Sequence, residues 1–442
     1  MPASALVALS FFMLIFVGTV LLCLPWATQS RQVNFLNSLF TATSASCVTG
    51  LAVTGIATHW SYFGQAVILL LIQVGGLGFI TIMSLFILYV KKHSSLSQRK
   101  LVMQSAGSVD LVSVKGLVKI ILIGTAIFEA VGAFILSFAF VPVYGWGNGI
   151  WQAIFTSVSA FCNAGFTLTD ANGTVSLCKP FLGNPLVILT VSLLIVIGGI
   201  GFFVWGDVVR HGVYIKRYSF HSKVVLTVTG ALILIGWALF AAFEWNNPAT
   251  IGGEGAGTKI LASLFMAVTP RTAGFASVDY AGMSSAGNVL TTVLMFIGGS
   301  PGSTAGGIKT TTLVVFVLSM VASARRKEDV NLFKRRFEAD ASHQASTIVC
   351  IYILIAITSV MLICAVEGSA YTTDDVTFEV ISAIATVGLS RGITANLLPF
   401  SKVVLVLLMF VGRVGGFTMM LIFSSERKPV AISRVEDKII IG

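Results

Sequence analysis

Apolar residues run in long stretches along this chain, interrupted by short polar ones at a recurring distance. Eight runs are long enough to cross a bilayer, which takes roughly 20 apolar residues: 5–24, 65–90, 117–140, 185–206, 224–243, 287–322 (interrupted), 345–366 and 401–423. Within each successive pair of runs lies a shorter segment: 33–46, 150–162, 257–270 and 374–385. A helix of about 13 residues covers only about 20 Å of a hydrocarbon core about 30 Å thick. The pattern predicts segments that enter the membrane and return. Their expected N-caps are Asn34 or Asn37, Asn148, Thr258, and Asp374 or Asp375.

Each short segment ends at a glycine among small, polar residues: SASCVTGLAV around Gly50, SAFCNAGFTL around Gly165, VTPRTAGFAS around Gly274 and SAIATVGLSR around Gly388. The glycines are 115, 109 and 114 residues apart. One unit of span, short helix, glycine loop and span is thus made four times. The expected fold is an all-α integral membrane protein with eight transmembrane helices and four re-entrant pore helices around a pseudo-fourfold ion pore. Its divisions are repeat one at 1–90, a linker and repeat two at 91–211, a linker and repeat three at 212–324, a linker and repeat four at 325–423, and a tail at 424–442. Two full spans per repeat keep all four in one orientation. Inverted-repeat transporters often have an odd number.

Non-helical backbone at membrane depth must be buried in protein or line a wet path. Four such loops around an axis offer a ring of carbonyls to a cation that has shed its water. The C-terminal ends of the short helices add partial negative charge there. Glycine permits φ > 0 and close backbone approach. The candidate filter is Val48, Thr49 and Gly50; Asn163, Ala164 and Gly165; Thr272, Ala273 and Gly274; and Thr386, Val387 and Gly388. The four glycines are the expected K⁺ positions.

The run at 287–322 is broken by GGSPGSTAGGIKTTT (298–312), whose five glycines and proline make a poor helix. Its candidate gating residues are Gly298, Gly299, Gly302, Ser303, Thr304, Gly306, Gly307 and Lys309. A phosphate-binding loop is excluded, because Ile308 precedes Lys309 where the motif needs glycine, and the flanks are apolar spans. Arg413 in the last run is an intramembrane cation and therefore a functional candidate, expected to be part of the barrier. Glu129 is expected to support a re-entrant loop.

Composition narrows the classes. The chain is 56% hydrophobic and 10% charged, against about 25% charged in soluble domains. Its net charge of +10 gathers in 91–119, 210–223, 325–336 and 427–438. The positive-inside rule accounts for that excess without nucleic acid, and puts both termini in the cytoplasm of a multi-pass cell-membrane protein. The six cysteines form no CxxC pair. No acid–base, nucleophile or metal constellation points to an enzyme, and no organic cofactor is expected.

IQVGGLG (72–78), IGGIGFFVWGD (197–207), IGGSPGSTAGGIKTTT (297–312) and VGRVGGFT (411–418), with Pro25 and the four glycine loops, resemble the KtrB/TrkH/HKT superfamily of potassium transport subunits. Eight spans without an extra N-terminal helix pair are more similar to KtrB-type members. The resemblance implies potassium uptake through a single-chain pore, a homodimeric membrane unit, and a cytosolic nucleotide-binding (ATP/ADP) regulatory ring of the KtrA type. It also implies that the 298–312 loop and Arg413 obstruct the pore below the filter. In this superfamily a serine at the first filter glycine accompanies sodium transport. Glycine at all four positions therefore favours K⁺, with Na⁺ open as a second ion or stimulant. The alternative is an ion-coupled secondary transporter, a K⁺/Na⁺ or K⁺/H⁺ symporter.

Overall fold

The computed structural model describes residues 3–93, 114–169, 181–327, 330–333, 335–337 and 339–415. The first repeat gives α1 (Ala3–Leu22), α2 (Phe35–Ser46) and α3 (Tyr62–His93). The second gives α4 (Val114–Tyr144), α5 (Trp146–Phe161), α6 (Pro185–Gly199) and α7 (Phe202–His211). The third gives α8 (Phe220–Glu244), α9 (Ala256–Val268), α10 (Ser285–Phe296) and α11 (Thr310–Ala324). The fourth gives α12 (Ala339–Glu367), α13 (Thr373–Ile384) and α14 (Pro399–Val414). A two-stranded ribbon, β1 (Asn331–Leu332) with β2 (Arg335–Arg336), sits between α11 and α12.

The chain is an all-α membrane protein whose polarity is turned inside out. Its outward faces carry exposed Phe12, Phe16, Phe134, Phe138, Leu234, Leu354 and Met361. Its centre holds the buried hydroxyls of Ser44, Ser46, Thr156, Ser157, Ser263 and Ser382, all on the short helices. Val118–Tyr144, Phe220–Glu244 and Asp340–Glu367 are each long and apolar enough to cross a bilayer. The bent pair α6 and α7 makes a fourth if taken as one span. Val7–Leu22, Tyr62–Leu77, α10 and α11 are shorter apolar helices.

The short helices start where side chains or the chain's own turns satisfy their first amides. Asn34 caps α2 as expected, its carbonyl oxygen accepting from the amides of Leu36 and Asn37. The other three N-caps differ from expectation. Thr372, not Asp374 or Asp375, caps α13, and Asp375 completes a capping box from the third helical position. Gly145 and Gly255 precede α5 and α9, leaving Asn148 and Thr258 inside those helices. Asn148 instead accepts a hydrogen bond from the Tyr62 hydroxyl at 2.6 Å, tying α5 to α3.

The run expected as one span at 185–206 is two helices bent by 95°. Gly201, at φ +92°, makes the turn, and Ile200 ends α6. The apolar clusters link the repeats in a circle. One joins repeats one and two and reaches Phe265 and Phe275; a second joins one and four; a third joins three and four. The expected tail 424–442 and the end of the last run, 416–423, lie outside the described residues.

Candidate cation site

The C-terminal ends of α2, α5, α9 and α13 converge, and the backbone there follows one rule. The first filter residue of each loop has positive φ: Val48 at 56°, Asn163 at 59°, Thr272 at 62° and Thr386 at 50°. So does each glycine: Gly50 at 98°, Gly165 at 72°, Gly274 at 76° and Gly388 at 91°. The residue between has ordinary negative φ. Backbone that alternates hand in this way turns its amides to one side and its carbonyls to the other.

The amides turn back to the helix each loop leaves. Thr49 N donates to Ser44 O (2.8 Å), Ala164 N to Ser159 O (2.7 Å), Ala273 N to Thr269 O (3.0 Å) and Val387 N to Ser382 O (2.8 Å). The Ser44 and Ser382 hydroxyls take the amides of Gly50 (3.1 Å) and Gly388 (3.0 Å). Among the described residues, no donor reaches the carbonyls of Thr49, Ala164, Ala273 or Val387.

Those four carbonyls close a ring. A Cβ added at Gly50 would meet Ala164 O at 2.5 Å, and one at Gly165 would meet Ala273 O at 2.8 Å. One at Gly274 would collide with Val387 O, and one at Gly388 with Thr49 O. Each glycine thus faces the carbonyl before the next glycine, from loop one round to loop one again. All twelve sequence-predicted filter residues lie in these loops and are buried. The hydroxyls of Thr49, Thr272 and Thr386 are buried without a hydrogen-bond partner, leaving oxygen lone pairs beside the ring. The arrangement offers a cation uncommitted oxygens and the negative ends of four helix dipoles.

Loop three departs from the others. Its helix is capped at Thr269, two residues early; Thr269 keeps helical φ/ψ, but Pro270 has no amide N–H to carry the ladder further. Arg271 fills the extra length. Its side chain is buried, donates to Thr229 Oγ1 at 3.3 Å, and lines a void of about 10 Å³ with Gly199 and Gly299.

The 297–309 loop folds into a compact plug against this ring. Gly298 N donates to Ile308 O (2.8 Å) and Thr310 N to Gly299 O (3.1 Å), pinching its neck. Ser303 Oγ donates to Ser300 O at 2.6 Å. The bend between α6 and α7 holds its outer side, through Ser300 N to Gly199 O (3.1 Å) and Phe202 N to Gly302 O (2.8 Å). Gly306 lies so close to Thr386 of the fourth filter loop that a Cβ there would sit 3.1 Å from the threonine Cβ. Gly307 would meet Ala385 O at 3.1 Å. Thr304 Oγ1 donates to Phe161 O (3.3 Å), and Lys309 Nζ to Ala305 O (2.6 Å). Arg413 reaches in from α14. Its guanidinium donates to Thr304 O, to Gly75 O (2.6 Å) and to Gly76 O (3.3 Å). The sequence-predicted gating residues are therefore brought together, under the fourth filter loop.

Glu129 stands behind the second loop. Its carboxylate accepts from Gln73 Nε2 at 3.1 Å and lies 3.8 Å from Cys162 Sγ, while its carbonyl accepts from Ser157 Oγ at 2.7 Å. Two further buried carboxylates had no place among the sequence candidates. Glu379 on α13 accepts from Ser390 Oγ and from Thr394 Oγ1 (3.0 Å), bracing the segment that leaves filter four. Glu244 accepts from Asn247, Thr250 and both donors of Ser284. The signal that marked Glu129, a carboxylate beside apolar helix, was also present at Glu379.

The family profile described as "TrkH: Cation transport protein" matches residues 4–430. The chain belongs to the TrkH cation transport family. The potassium/sodium uptake protein NtpJ of Enterococcus hirae is 39% identical over 99% of this chain and 96% of its own. The Ktr system potassium uptake protein B of Bacillus subtilis is 38% identical over 95% of this chain and 93% of its own. The crystal structure of the potassium transporter TrkH from Vibrio parahaemolyticus superposes with a TM-score of 0.72 at 19% identity, covering 95% of this chain and 84% of that one. As a TrkH-family chain it falls in a class of transport proteins, not an enzyme class.

Proposed function

We propose that this chain is the membrane subunit of a potassium uptake system and conducts K⁺ through the four-loop ring. The closed ring of carbonyls, with the amides of Thr49, Ala164, Ala273 and Val387 bonded back toward their own helices, carries the reading. Each repeat contributes two spans and one re-entrant helix, and α6 with α7, like α10 with α11, serves as one span bent around the pore. Both termini and the basic connections face the cytoplasm of the cell membrane, by the positive-inside rule. Thr49, Ala164, Ala273 and Val387 supply the principal oxygens, and the 297–309 loop with Arg413 is the barrier below them. A buried guanidinium there repels the permeant ion and ties the loop's Thr304 carbonyl to the Gly75 and Gly76 carbonyls of α3. The Bacillus relative is named as one protein of a Ktr system, which supports a second component. A cytosolic nucleotide-binding ring acting on a homodimer of this chain fits the basic inner surface. The Enterococcus relative is named for both potassium and sodium, so Na⁺ is the second ion to measure.

The test is flux from liposomes holding the purified chain, under an imposed potential, with K⁺ or Na⁺ inside. K⁺-selective conductive flux is expected, increased by Arg413→Ala. Strictly coupled, saturating exchange would instead favour the symporter.

A further inference from the structure

The bend between α6 and α7 has a consequence at the inner membrane surface. Helix α6 has 15 residues and covers about 22 Å of a core about 30 Å thick. With α6 standing along the membrane normal from the outer boundary, the 95° turn after it would lay α7, the inner end of this bent span, near the membrane plane about 8 Å inside the inner boundary. That is the depth at which amphipathic interfacial helices rest. One side of α7 packs inward through Phe202, Val204 and Trp205. Its C-terminal turn emerges from the protein, with Val208 44% and Val209 65% exposed.

The chain then continues through a built connection, not a loose one. Tyr218 Oη donates to Gly212 O at 2.5 Å, Lys223 Nζ donates to Lys216 O at 2.8 Å, and Ser219 donates to Asp207 through both its amide and its hydroxyl. This connection holds Val213 at 88%, Tyr214 at 65% and Ile215 at 60% exposure. Lys216 and Arg217 follow immediately and are exposed, with the Arg217 guanidinium 5.4 Å from the centre of the Tyr214 ring. Apolar side chains held out beside cations match acyl chains lying beside a headgroup phosphate.

We propose that residues 208–217 bind an anionic phospholipid, its phosphate on Lys216 and Arg217 and its acyl chains against Val209, Val213 and Ile215. The occupied site holds α7 in the interface. Because Phe202 N donates to Gly302 O, and the Phe203 ring lies where a Gly302 side chain would point, the position of α7 sets the position of the 297–309 loop. The effect on flux rests on the pore reading above; the binding does not.

Two measurements test this. In the first, the detergent-solubilised chain is examined by native mass spectrometry with phosphatidylglycerol or phosphatidylcholine of matched acyl chains. The wild type is expected to hold phosphatidylglycerol roughly 30-fold more tightly than K216Q/R217Q, at two lost basic contacts. K327Q/R335Q, exposed basic positions elsewhere, is expected to match the wild type. Equal retention by wild type and K216Q/R217Q overturns the site. Displacement of the lipid by inorganic phosphate alone makes it a free-anion site and overturns the lipid assignment. Loss of a dimer in K216Q/R217Q with lipid retention intact makes this face a contact between copies, and also overturns it. In the second, K⁺ flux is compared in vesicles of phosphatidylcholine with and without phosphatidylglycerol. A severalfold difference is expected for the wild type and none for K216Q/R217Q. Lipid-independent wild-type flux overturns the coupling to the loop. Absence of flux in every vesicle counts against the pore, while the retention measurement still decides the lipid site.

Discussion

The carbonyl ring and the 297–309 loop are both buried, glycine-rich, non-helical backbone, yet they are held in opposite ways. In the ring, the amide before each glycine is satisfied within its own repeat, four or five residues back, by Ser44, Ser159, Thr269 and Ser382. Between repeats, each ring glycine packs against the carbonyl and the glycine Cα of the next loop. In the 297–309 loop the decisive bonds come from elsewhere: Gly198 and Gly199, Phe202, and Arg413 from α14. Local bonding makes the ring rigid and repeats its geometry four times. Remote bonding makes the loop's shape depend on elements that can shift against it, which is what a movable barrier requires. Among the described residues the hydrogen bonds of the buried Arg413 guanidinium all go to carbonyls, with the Phe11 ring 5.8 Å away, so in the proposed reading its charge makes it both latch and electrostatic obstacle.

The largest expected effect is in the ring. Gly388→Ala places a methyl group against Thr49 O and 2.8 Å from Gly50 Cα, at a φ that side chains rarely adopt. K⁺ flux should fall about 100-fold, equivalent to about 2.8 kcal/mol. Flux near the wild-type level from a normally assembled protein would break the ring reading outright.

Gly50→Ser is the next. Its Cβ would lie 2.5 Å from Ala164 O, and its hydroxyl would compete with the ring oxygens. The K⁺ over Na⁺ flux ratio should drop about tenfold, or about 1.4 kcal/mol. An unchanged ratio would count against this register of the four loops.

Arg413→Ala probes the other half of the comparison. It frees the carbonyls of Thr304, Gly75 and Gly76 and removes the cation. Flux through the chain alone should rise about fivefold, a change of about 1 kcal/mol in barrier height. Arg413→Lys, which keeps the charge but not the fork of donors, should fall between. Equal or lower flux at normal protein levels would sink the barrier role.

The smallest effect sharpens the claim of local bonding. Ser44→Ala and Ser382→Ala each remove one hydrogen bond to a ring glycine, worth about 1 kcal/mol. Each should lower the K⁺ over Na⁺ ratio about twofold to threefold while leaving the response to Arg413→Ala intact. A loss of that response would mean that ring and loop are not separable.

Much of the ring was legible in the residues. Small polar residues before a glycine, at nearly equal spacing, mark places where only backbone is wanted. The places where expectation failed are places where short-range rules compete. Asn148 and Thr258 are good capping residues, but α5 and α9 start earlier, after Gly145 and Gly255. Asp374 and Asp375 were plausible caps until Thr372 formed the capping box with Asp375. The break at Gly201 was hidden in an apolar run, since hydropathy carries no record of backbone direction. Arg271 passed unmarked because it reads as an ordinary polar residue next to a loop until burial is known, whereas Glu379, inside α13, carried the same signal as Glu129.

The sequence by itself determined the membrane class, the four glycine loops and the break in helix at 298–309. Those follow from hydropathy, length and the conformational limits of the backbone, all of which are local. Only the tertiary structure decided that each glycine meets the carbonyl of the next loop, that Gly306 lies beneath Thr386, and that Arg413 closes on Thr304 from the far end of the chain. Such contacts join residues 80 or more positions apart, as Arg413 and Thr304 are at a separation of 109, and are set by how helices pack around the axis. No pattern along the chain encodes that packing.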